Sequence, residues 1–502
     1  MRKYLLFSLI LHFNFILVCQ NIELDVSFGD SGIVTTPNTT EIRNTCILED
    51  GNIISVGYYL EENGIYHQVI AKYHENGEPD NNFGINGVIK DSIGTTDSGY
   101  LIEELPENKF LIVGYCMFGN YTEPAGGSGY LIRYNNDGTK DTSFGDNGKM
   151  FFDTLSSGES FTITSILLLP DNKILIGGSM SLGNLILIKL KSDGSLDNDF
   201  GENGYLVLDD SYGVFSMYDM KVVDDRLILA GADYTIQDSS KSVILKIDFN
   251  GNFDDRFGVN GKYLVDVHEF DDPWPFSGEF FYRIQTDEDN NLFVAGKSFL
   301  YDYILKLNMD GTPDLSFGSN GFKYHNYPNN DFVISNDGTF LLHGGGFSLT
   351  RLNQNGDLDT TFGTNGTFII NISEETNYSH CINIQDDEKI ILSGTSRKND
   401  DPNFTLARLI IEPFVQEVDI VNNSNDIIVY PNPFSERIII KSSQEFISDV
   451  FVYDIYGKLR VNSKVNKKET NLALNLPEGM YSCVIYTHNG KHFIKKIIAL
   501  KK

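Results

Sequence analysis

Residues 189–204 read KLKSDGSLDNDFGENG, and this pattern decides the fold because it returns along most of the chain. Phe200 and the glycine after it form its anchor, with Asp197 three residues and Lys189 eleven residues before the phenylalanine. A repeat of this kind has to be interpreted before any other feature of the sequence. The same anchor occurs at Phe28, Phe83, Phe144, Phe200, Phe257, Phe317 and Phe362.

Three further positions keep a fixed spacing within the repeat. An aspartate stands three residues before every anchor phenylalanine, from Asp25 to Asp359. An acidic residue stands seven residues before a glycine in every unit, beginning with Asp50 and Gly57. Basic residues stand eleven positions before each anchor from the second onward, and one more follows the last anchor: they are Lys72, Arg133, Lys189, Lys246, Lys306, Arg351 and Arg408.

Each unit has the pattern of four short β-strands. Continuous apolar runs such as residues 174–176 indicate sheets buried on both faces, and the Asp-Gly and Asn-Gly pairs between runs favour tight turns. Successive anchors are 45–61 residues apart, and units of this size that need a neighbour on each face are typical of a β-propeller. The sequence therefore predicts an all-β fold with a seven-bladed β-propeller over residues 22–412.

The phase of the repeat predicts how the ring closes. The chain begins with a Phe-Gly segment that has no basic strand before it, and the repeats end with a basic strand, at Arg408, that has no Phe-Gly after it. We expect Leu24–Gly32 to join the sheet that contains Arg408, so that the two ends of the propeller interlock.

We interpret the repeated residues as structural, because a residue that serves one active site has no reason to recur in every unit. The basic residues are flanked by apolar ones, so we expect a buried stem and a head group paired with the aspartate eight positions later, for instance Lys189 with Asp197. A ring of charges that lines a channel is the alternative. Asp-rich turns such as residues 135–141 are loosely similar to calcium loops but lack their closing glutamate. We expect no metal or cofactor, with calcium as the alternative.

The unit Leu-Asp-x-x-Phe-Gly-x-x-Gly, with Lys/Arg-x-x-x-Asp/Asn-Gly upstream, resembles the delta-60 repeat, a β-propeller repeat of bacterial extracellular proteins. The resemblance covers about residues 22–412. It implies the propeller fold, and it implies no shared catalytic residues.

The composition changes after the repeats. Residues 413–427 lack the pattern and are expected to be a linker, whereas residues 428–502 carry a net charge of +6, against about -38 for residues 21–427. Alternation at Val450 and Val452, and later at Val484 and Tyr486, suits a small antiparallel β-sandwich.

This tail resembles the type A C-terminal sorting domain of the type IX secretion system of Bacteroidetes. The resemblance implies an export address, an Ig-like sandwich and the secretion machinery as a partner; an ordinary Ig-like domain is the alternative. The matching residues are Tyr430, Pro431, Asn432, Pro433, Gly457, Gly479 and Tyr481.

The amino terminus has the pattern of a secretory signal. Arg2 and Lys3 precede an apolar run that ends at Val18, too short for a membrane span, so residues 1–19 are expected to be a signal peptide cleaved after Cys19. Lipidation of Cys19 is the alternative. No later stretch is apolar enough to span a membrane. The other four cysteines are widely spaced and are expected to be buried thiols.

Composition excludes one class of function and leaves three. The net charge of -30 argues against binding to nucleic acid, because the phosphate backbone would be repelled. HExxH, GxSxG and phosphate-binding glycine motifs are missing, so no catalytic residue is assigned and an enzyme is disfavoured without being excluded. We expect a secreted or cell-surface binding protein for an extracellular glycan or protein. A glycan-active hydrolase on a propeller scaffold and a chiefly structural surface protein are the alternatives.

One unit departs from the others and suggests a ligand surface. The anchor-to-glycine distance is 39 residues in the fifth unit and 27–34 elsewhere, and the extra residues fall within Val267–Tyr282. This stretch contains the only tryptophan of the chain. Aromatic residues on the propeller rim stack on sugars or anchor a protein; packing over the outer edge of the blade is the alternative. The candidate ligand residues are Trp274, Phe276, Phe280 and Tyr282.

Overall fold

The computed structural model describes residues 20–118, 127–152, 161–180, 184–208, 215–233, 241–265, 280–287, 289–298, 301–325, 331–373, 375–398, 401–413, 427–454, 459–474, 476–477, 479–488 and 492–500. The chain divides into two compact units, Ile22–Ile410 and a second one composed of Met1–Asn21 with Ile411–Lys502. All regular elements of the described residues are β-strands, and none of these residues forms a helix long and apolar enough to cross a membrane.

The first two strands, β1 (Gln20–Leu24) and β2 (Ile33–Thr36), pair with the last propeller strand rather than with their neighbours in sequence. The described part of residues 37–398 then forms successive sheets, each antiparallel and in chain order. Sheet 1 contains β3 (Glu41–Ile47), β4 (Ile53–Leu60), β5 (Tyr66–Tyr73) and β6 (Val88–Asp91); sheet 2 contains β7 (Thr96–Leu105), β8 (Lys109–Met117), β9 (Gly127–Tyr134) and β10 (Lys149–Phe152); sheet 3 contains β11 (Phe161–Leu168), β12 (Ile174–Met180), β13 (Leu185–Leu190) and β14 (Tyr205–Leu208).

The remaining sheets of the propeller have the same order of strands. Sheet 4 contains β15 (Phe215–Val223), β16 (Arg226–Asp233), β17 (Lys241–Ile247) and β18 (Lys262–Val265); sheet 5 contains β19 (Phe280–Thr286), β20 (Leu292–Lys297), β21 (Asp302–Leu307) and β22 (Phe322–His325); sheet 6 contains β23 (Asp331–Ile334), β24 (Phe340–Gly344), β25 (Ser348–Leu352) and β26 (Thr367–Ile369); sheet 7 contains β27 (Asn377–Ile384), β28 (Ile390–Lys398), β29 (Asp401–Pro413) and the two N-terminal strands.

The first strand of each sheet packs against the first strand of the next, and β27 of sheet 7 returns to β3 of sheet 1. These inner strands surround the axis of the propeller, and the apolar cores lie between successive sheets. In one such core, Val113 and Leu131 of sheet 2 pack with Ile176 and Ile188 of sheet 3. The continuous apolar runs of the sequence are explained by this arrangement, because each sheet buries both of its faces.

The predicted closure of the ring is confirmed. Strand β2 pairs with β29 along Phe404–Ala407, the amide of Asp25 donates to the Arg408 carbonyl at 2.9 Å, and the amide of Arg408 donates to the Gly32 carbonyl at 3.0 Å. The N-terminal segment therefore supplies the outer strand that sheet 7 would otherwise lack.

Because the strands of each sheet are antiparallel, the connections fall on two faces of the propeller. One face, which we call the turn face, carries the links between first and second strands and between third and fourth strands. The third-to-fourth links contain the Phe-Gly anchor and have the same length in sheets 1 to 6, fourteen residues, as in 74–87 and 353–366. The opposite face, which we call the loop face, carries links whose length varies from two residues at 399–400 to fourteen at 266–279.

The C-terminal unit contains a sandwich of two sheets. One consists of β30 (Ile427–Tyr430), β31 (Arg437–Ser442) and β34 (Glu469–Ala473); the other has the order β33 (Leu459–Lys467), β32 (Ile447–Asp454), β35 (Gly479–Thr487) and β36 (His492–Ala499). Ile438 and Ile440 of the first sheet pack against Val450, Val452 and Ile485 of the second. Val484 and Tyr486, by contrast, lie on the outward face of their strand.

Candidate functional site

The repeated basic residues lie near the ends of the third strands, and most pair as predicted. The nitrogen–oxygen distances are 3.3 Å for Lys72–Asp80, 2.9 Å for Arg133–Asp141, 3.7 Å for Lys246–Asp254, 3.0 Å for Lys306–Asp314 and 2.6 Å for Arg351–Asp359. Arg408 pairs with Asp25 across the ring closure at 2.9 Å. The prediction is wrong for Lys189, because Asp197 pairs with Lys173 at 2.9 Å and Lys189 Nζ donates to the Phe249 carbonyl at 3.4 Å.

In sheets 2, 3 and 7, a second lysine pairs with the repeated acid on the turn face. Lys109, Lys173 and Lys389 each follow that acid by two residues and pair with it at 2.7–3.5 Å. Each of the three also reaches the anchor aspartate of its sheet, at 2.9–3.7 Å. In sheets 2 and 7 the anchor aspartate thus pairs with two basic side chains. In sheet 3 it pairs with the second lysine, Lys173, instead of with Lys189.

The anchor phenylalanine completes this arrangement and joins it to the next sheet. The Arg133 guanidinium lies over the Phe144 ring, 4.6 Å from its centroid, and donates to the Ser192 carbonyl in the turn of sheet 3. In that turn, a Cβ added to Gly194 would lie 2.9 Å from the Phe144 ring, so only glycine allows this approach. In sheets 1 to 4 and at the ring closure, the repeated basic residues therefore fasten one blade to the next, which favours their structural interpretation over a ligand-binding ring.

The Asp-rich turns are closed by their own side chains. Asp193 Oδ1 accepts the Ser195 amide at 2.8 Å, and Asp310 Oδ1 accepts the Thr312 amide at 2.9 Å. Among the described residues, no three His, Cys, Asp or Glu side chains are grouped so that they could hold a metal ion. Cys116, Cys381 and Cys483 are buried thiols, as predicted, and Cys46 is a thiol that is half-buried.

The inner strands carry a second repeated feature, which the sequence did not reveal. In every sheet except sheet 6, whose first strand is described only from Asp331, the ladder between first and second strands slips by one residue at the same level. The repeated glycine of the second strand faces this β-bulge; a Cβ on Gly178 would lie 2.1 Å from the Thr162 carbonyl. The bulged residues are Arg43, Tyr100, Thr164, Tyr218, Tyr282 and His380.

A charged cluster is formed by the residues that follow the bulge in sheets 4 and 5, together with Asp331 at the same level of sheet 6. Arg283 Nε and Nη2 donate to the two carboxylate oxygens of Asp331, and Asp219 Oδ2 accepts the Ile284 amide at 2.8 Å. Nearby, Lys221 Nζ donates to Gln285 Oε1 at 3.4 Å. The repeated glycine could have located these residues in the sequence. In each of these sheets, the residue just before that glycine pairs across the ladder with the residue at this level.

The positive and negative charges of this cluster balance one another, which does not indicate a reactive group. Burial raises the pKa of the Asp219 carboxyl, an effect that Arg283 partly offsets. Burial lowers the pKa of the Lys221 ammonium. Against burial, the charge of Asp331 raises the pKa of the Arg283 guanidinium. Burial also lowers the pKa of His343, the cross-strand partner of Asp331, to about 4, so this imidazole is neutral at pH 7.

Of the four candidate ligand residues, Trp274 and Phe276 lie outside the described residues. Phe280 and Tyr282 were expected on the rim or over the outer edge of the blade, and the structure places both on the innermost strand β19. This strand begins at Phe280, directly after the longest loop-face link, and a role of these residues in ligand binding stays a prediction. The Phe280 ring lies 5.0 Å from the Tyr218 ring and 6.3 Å from the Tyr282 ring.

One group on the loop face is similar to a hydrolytic triad but has the wrong geometry. Asp97 Oδ2 lies 2.8 Å from His67 Nδ1, and Ser92 Oγ lies 3.2 Å from the same nitrogen. A serine nucleophile needs the other ring nitrogen. Asp97 also accepts amides of Gln68 and Ile93, at 2.8 and 2.9 Å, so the group organises a turn.

The two faces of the propeller differ in their exposed aromatic side chains. In the described residues of the propeller, every exposed aromatic belongs to a loop-face connection or to the adjoining strand end. The exposed apolar residues of the turn face are aliphatic, such as Leu315, which is 73% exposed, and Val259, which is 76% exposed. The loop-face aromatics are Tyr66, Tyr115, Phe118, Phe151, Tyr301 and Tyr378.

Two of the sorting-motif residues, Asn432 and Tyr481, have structural roles in the C-terminal sandwich. Asn432 Oδ1 accepts the Ile498 amide at 2.8 Å, and its Nδ2 donates to the Lys496 carbonyl at 2.7 Å, which fastens the last strand. Tyr481 is buried, and its hydroxyl donates to the Pro477 carbonyl at 2.9 Å. Gly457 lies outside the described residues.

Comparison with family models agrees with this architecture. Residues 48–83, 125–144, 169–200, 288–317 and 338–362 match a β-propeller family described as a domain of unknown function, DUF5122. These matches and the sheet topology define a β-propeller protein. Residues 428–500 match the secretion system C-terminal sorting domain. The chain is therefore a propeller with a type IX sorting tail, a protein that is exported to the cell surface or secreted.

Similarity to individual proteins is remote. No curated protein matches the chain. PorZ, an essential bacterial surface component of the type-IX secretion system of Porphyromonas gingivalis, is 10% identical with a TM-score of 0.36 over 90% of this chain and 69% of PorZ. The polysaccharide lyase Uly1 is 10% identical with a TM-score of 0.45, over 76% of this chain and 91% of the lyase. Prolyl oligopeptidase B from Galerina marginata is 10% identical with a TM-score of 0.40, over 82% and 56% of the two chains. Such similarities are too low to carry over an activity.

Proposed function

We propose that this exported propeller is a non-catalytic binding protein that holds an extracellular glycan or protein on its loop face. The observation that carries the proposal is the placement of the exposed aromatics in the described part of the propeller, all of which lie on the face whose connections vary in length. Aromatic side chains dominate binding energies at recognition surfaces, and variable connections on a rigid scaffold are where binding residues concentrate.

The turn face is a poor candidate for the ligand surface. Its third-to-fourth links keep a constant length of fourteen residues in sheets 1 to 6, and their side chains are occupied by the contacts between blades. A change there would alter blade packing before it could alter a ligand contact. The links of the loop face keep no such constant length, and residues 266–279, with Trp274 and Phe276, are the longest of them.

The test compares the two faces in one binding assay. The mature full chain is applied to a glycan array and to immobilised polysaccharides, as wild type and as Tyr66→Ala, Trp274→Ala and Tyr301→Ala. Loss of a central aromatic contact costs about 2 kcal/mol, or roughly thirty-fold in affinity. The matched control is Leu315→Ala, an exposed apolar residue of the turn face, which should bind as the wild type does.

Two outcomes would refute the proposed site. Equal losses in Leu315→Ala and the loop-face variants would remove the distinction between the faces. Binding that survives every aromatic substitution would place the ligand elsewhere. If the array and the polysaccharides give no signal, the same variants are tested against extracellular proteins, and a second failure would reject the binding function.

A hydrolase is the second candidate, because Asp219 and Asp331 flank Arg283 near the axis. Glycosidases use two carboxylates, one of which needs a raised pKa, and burial raises the pKa of Asp219. However, Asp331 is held by Arg283, and Asp219 accepts the amides of Met220 and Ile284 at 2.9 and 2.8 Å. Release of reducing sugar from any array polysaccharide by wild type, but not by Asp219→Asn, would favour the hydrolase.

The proposal includes the remaining boundaries and the export route. Residues 1–19 would direct passage of the inner membrane and be removed, residues 22–412 would form a seven-bladed ring, residues 413–427 would link it to the sorting tail, and residues 428–502 would direct the second step. Deletion of 428–502 should leave a folded propeller in the periplasm. Normal surface delivery of that deletion would contradict this route.

A further inference from the structure

The mouth of the propeller axis on the loop face is lined by equivalent residues of the inner strands. Each inner strand runs from the loop face to the turn face, because the link between first and second strands lies on the turn face. One residue of each strand pairs with the position after the repeated glycine and stands two residues before the bulge, near the start of the strand. In the sheets where this level is described, these mouth residues are Glu41, Ser98, Thr162, Ser216, Phe280 and Tyr378.

In sheet 1 the mouth residue and the bulged residue carry opposite charges and share an aromatic partner. Arg43 Nη1 lies 2.9 Å from Glu41 Oε1, and the Tyr58 hydroxyl donates to Glu41 Oε2 at 2.9 Å. The Arg43 guanidinium also lies over the Tyr58 ring, 5.5 Å from its centroid. Burial and the bond to Glu41 raise the pKa of Tyr58 to about 12, so the phenol keeps its proton and donates it. The three side chains therefore hold one another in a fixed arrangement.

Tyr66, the first residue of β5, adds an aromatic surface to this group. Its ring lies 5.5 Å from the Tyr58 ring and is tilted against it. Tyr66 is 36% exposed, and the Arg43 side chain is 46% exposed. The group is thus open to a ligand. We call Glu41, Arg43, Tyr58 and Tyr66 the mouth tetrad.

The blade does not need these charges in order to fold. The equivalents of Glu41 at the described starts of the other inner strands are uncharged, and in sheet 2 the pair Glu41–Arg43 is replaced by Ser98 and Tyr100. An exposed ion pair stabilises a protein by only about 1 kcal/mol or less. The contacts of the anchor residues lie at the other end of the sheets, on the turn face. A ligand gives the tetrad a role that the structure of the blade does not.

The tetrad offers the chemical groups that bind a sugar ring. A guanidinium donates hydrogen bonds and a carboxylate accepts them, whereas a hydroxyl does both. Adjacent Arg43 and Glu41 therefore suit two neighbouring hydroxyl groups of one sugar. The exposed ring of Tyr66 is amphipathic, so its face can cover the apolar C–H face of the same sugar.

Charge favours an uncharged sugar over an acidic one. Glu41 balances the charge of Arg43. His380, the bulged residue of sheet 7, feels both of these charges, and burial lowers the pKa of its imidazole, which is neutral at pH 7. Glu61 and Glu62 follow directly in the link before Tyr66, and the whole chain has a net charge of -30. An acidic polysaccharide would be repelled from this mouth, whereas a neutral one would not.

We propose that the mouth tetrad binds one neutral hexose unit of an extracellular glycan through two neighbouring hydroxyl groups. Arg43 donates to one hydroxyl, Glu41 accepts from the next, and Tyr66 packs against the face of the ring. This inference rests on the proposed binding function of the loop face and names the ligand class of one subsite.

Binding to polysaccharides of different charge tests the proposal. The mature full chain is applied to immobilised neutral glucan, mannan and galactan and to a polyuronate, as wild type, Arg43→Met and Glu41→Gln. Wild type should bind a neutral polysaccharide and not the polyuronate, and each variant should bind about ten-fold more weakly. The matched control is Arg256→Met, which removes an exposed arginine of the turn face that lies 3.0 Å from Asp254. It should bind as the wild type does.

Deoxy sugars test the hydroxyl contacts themselves and provide a readout that a general loss of stability would not give. Soluble oligosaccharides of the bound glycan, each lacking one hydroxyl, compete with the immobilised polysaccharide. One deoxy position should weaken binding to wild type about ten-fold and have no effect on Arg43→Met, because the contact is already lost in that variant. A neighbouring deoxy position should show the same relation to Glu41→Gln.

The outcomes separate this inference from the proposed function. Equal binding by wild type, Arg43→Met and Glu41→Gln, together with a loss in Trp274→Ala or Tyr301→Ala, would exclude the tetrad and leave the loop-face function standing. Stronger binding to the polyuronate, or binding to extracellular proteins alone, would overturn the assignment of a neutral sugar. Deoxy effects that are the same in wild type and Arg43→Met would refute the hydroxyl contact. Failure of wild type to bind any glycan or protein would reject both proposals.

Discussion

Replacement of Arg408 by methionine tests how the propeller is closed. Arg408 is 3% exposed and Asp25 is 6% exposed, and the two are joined by Nε–Oδ2 and Nη2–Oδ2 contacts of 2.9 Å each. The guanidinium also lies 4.6 Å from the centroid of Phe28. Methionine keeps the apolar stem but leaves the Asp25 carboxylate buried without its main partner, and such a loss costs about 3–5 kcal/mol.

Urea unfolding of the mature full chain measures this cost. With a slope near 3 kcal/mol per molar urea, the midpoint should fall by about 1 M or more. The matched control is Arg351→Met, which breaks the equivalent pair with Asp359, only eight residues away and inside one sheet. Both variants should lose stability, but only Arg408→Met should make residues before Ile33 accessible to limited proteolysis, because its pair joins residues 383 apart.

The reasoning would be refuted by either of two results. A midpoint for Arg408→Met within about 0.2 M of wild type would mean that the closing pair contributes little. Proteolysis of the N-terminal segment that is as fast in Arg351→Met as in Arg408→Met would mean that the segment is not held by Arg408. In a double-mutant cycle, adding Asp25→Asn to Arg408→Met should recover part of the loss, since the buried charge is then removed.

Two more predictions follow from the contacts between blades. Gly138→Ala should lower the free energy of unfolding by about 1–3 kcal/mol in a thermal melt, because the added Cβ would lie 2.9 Å from the Phe83 ring at a φ of +84°. The control Gly64→Ala has a φ of +82° and nothing within 4 Å of the added Cβ, so it measures the backbone strain alone. Equal losses in the two variants would contradict the packing argument. Burial lowers the pKa of His343 to about 4 from an ordinary 6.5, so its contribution to stability is complete above pH 6.5 and is lost as the pH falls toward 4. Urea midpoints at pH 7 and pH 4.5 should therefore differ less in His343→Leu than in wild type, whereas the exposed control His74→Leu should keep the wild-type difference.

The architecture of the propeller could be predicted because its turn face is built from residues with one possible arrangement. The anchor glycines have positive φ angles, for instance +53° at Gly201 and +95° at Gly204, a conformation that few other residues adopt. Together with the aspartate that pairs with the buried basic side chain, these glycines fix the backbone conformation of a fourteen-residue link in each of sheets 1 to 6. Such a segment tolerates little change, so it remains visible as a repeat.

The charged cluster near the axis could not be predicted in the same way. Asp219, Arg283 and Asp331 occupy one level of three neighbouring inner strands, but the equivalent residues of other sheets include Leu101 and Ser165. Since the position accepts any residue that fits between two blades, it has no repeat pattern. Only the β-bulge, through the glycine that faces it, reveals the level from the sequence.

The exception at Lys189 shows what the repeat requires. Asp197 lies in the same place as the other anchor aspartates, and it is neutralised by Lys173, the residue before the second strand, instead of by Lys189 of the third strand. The ammonium of Lys189 still lies over the Phe200 ring, 5.5 Å from its centroid, and still reaches the turn of the next sheet through the Phe249 carbonyl. Sheet 3 therefore keeps a cation that links the anchor ring to the neighbouring blade, while its aspartate needs only some positive charge beside it. Because the links that carry these contacts lie on the turn face, the loop-face links can vary in length without loss of the ring, and that freedom is what a binding surface needs.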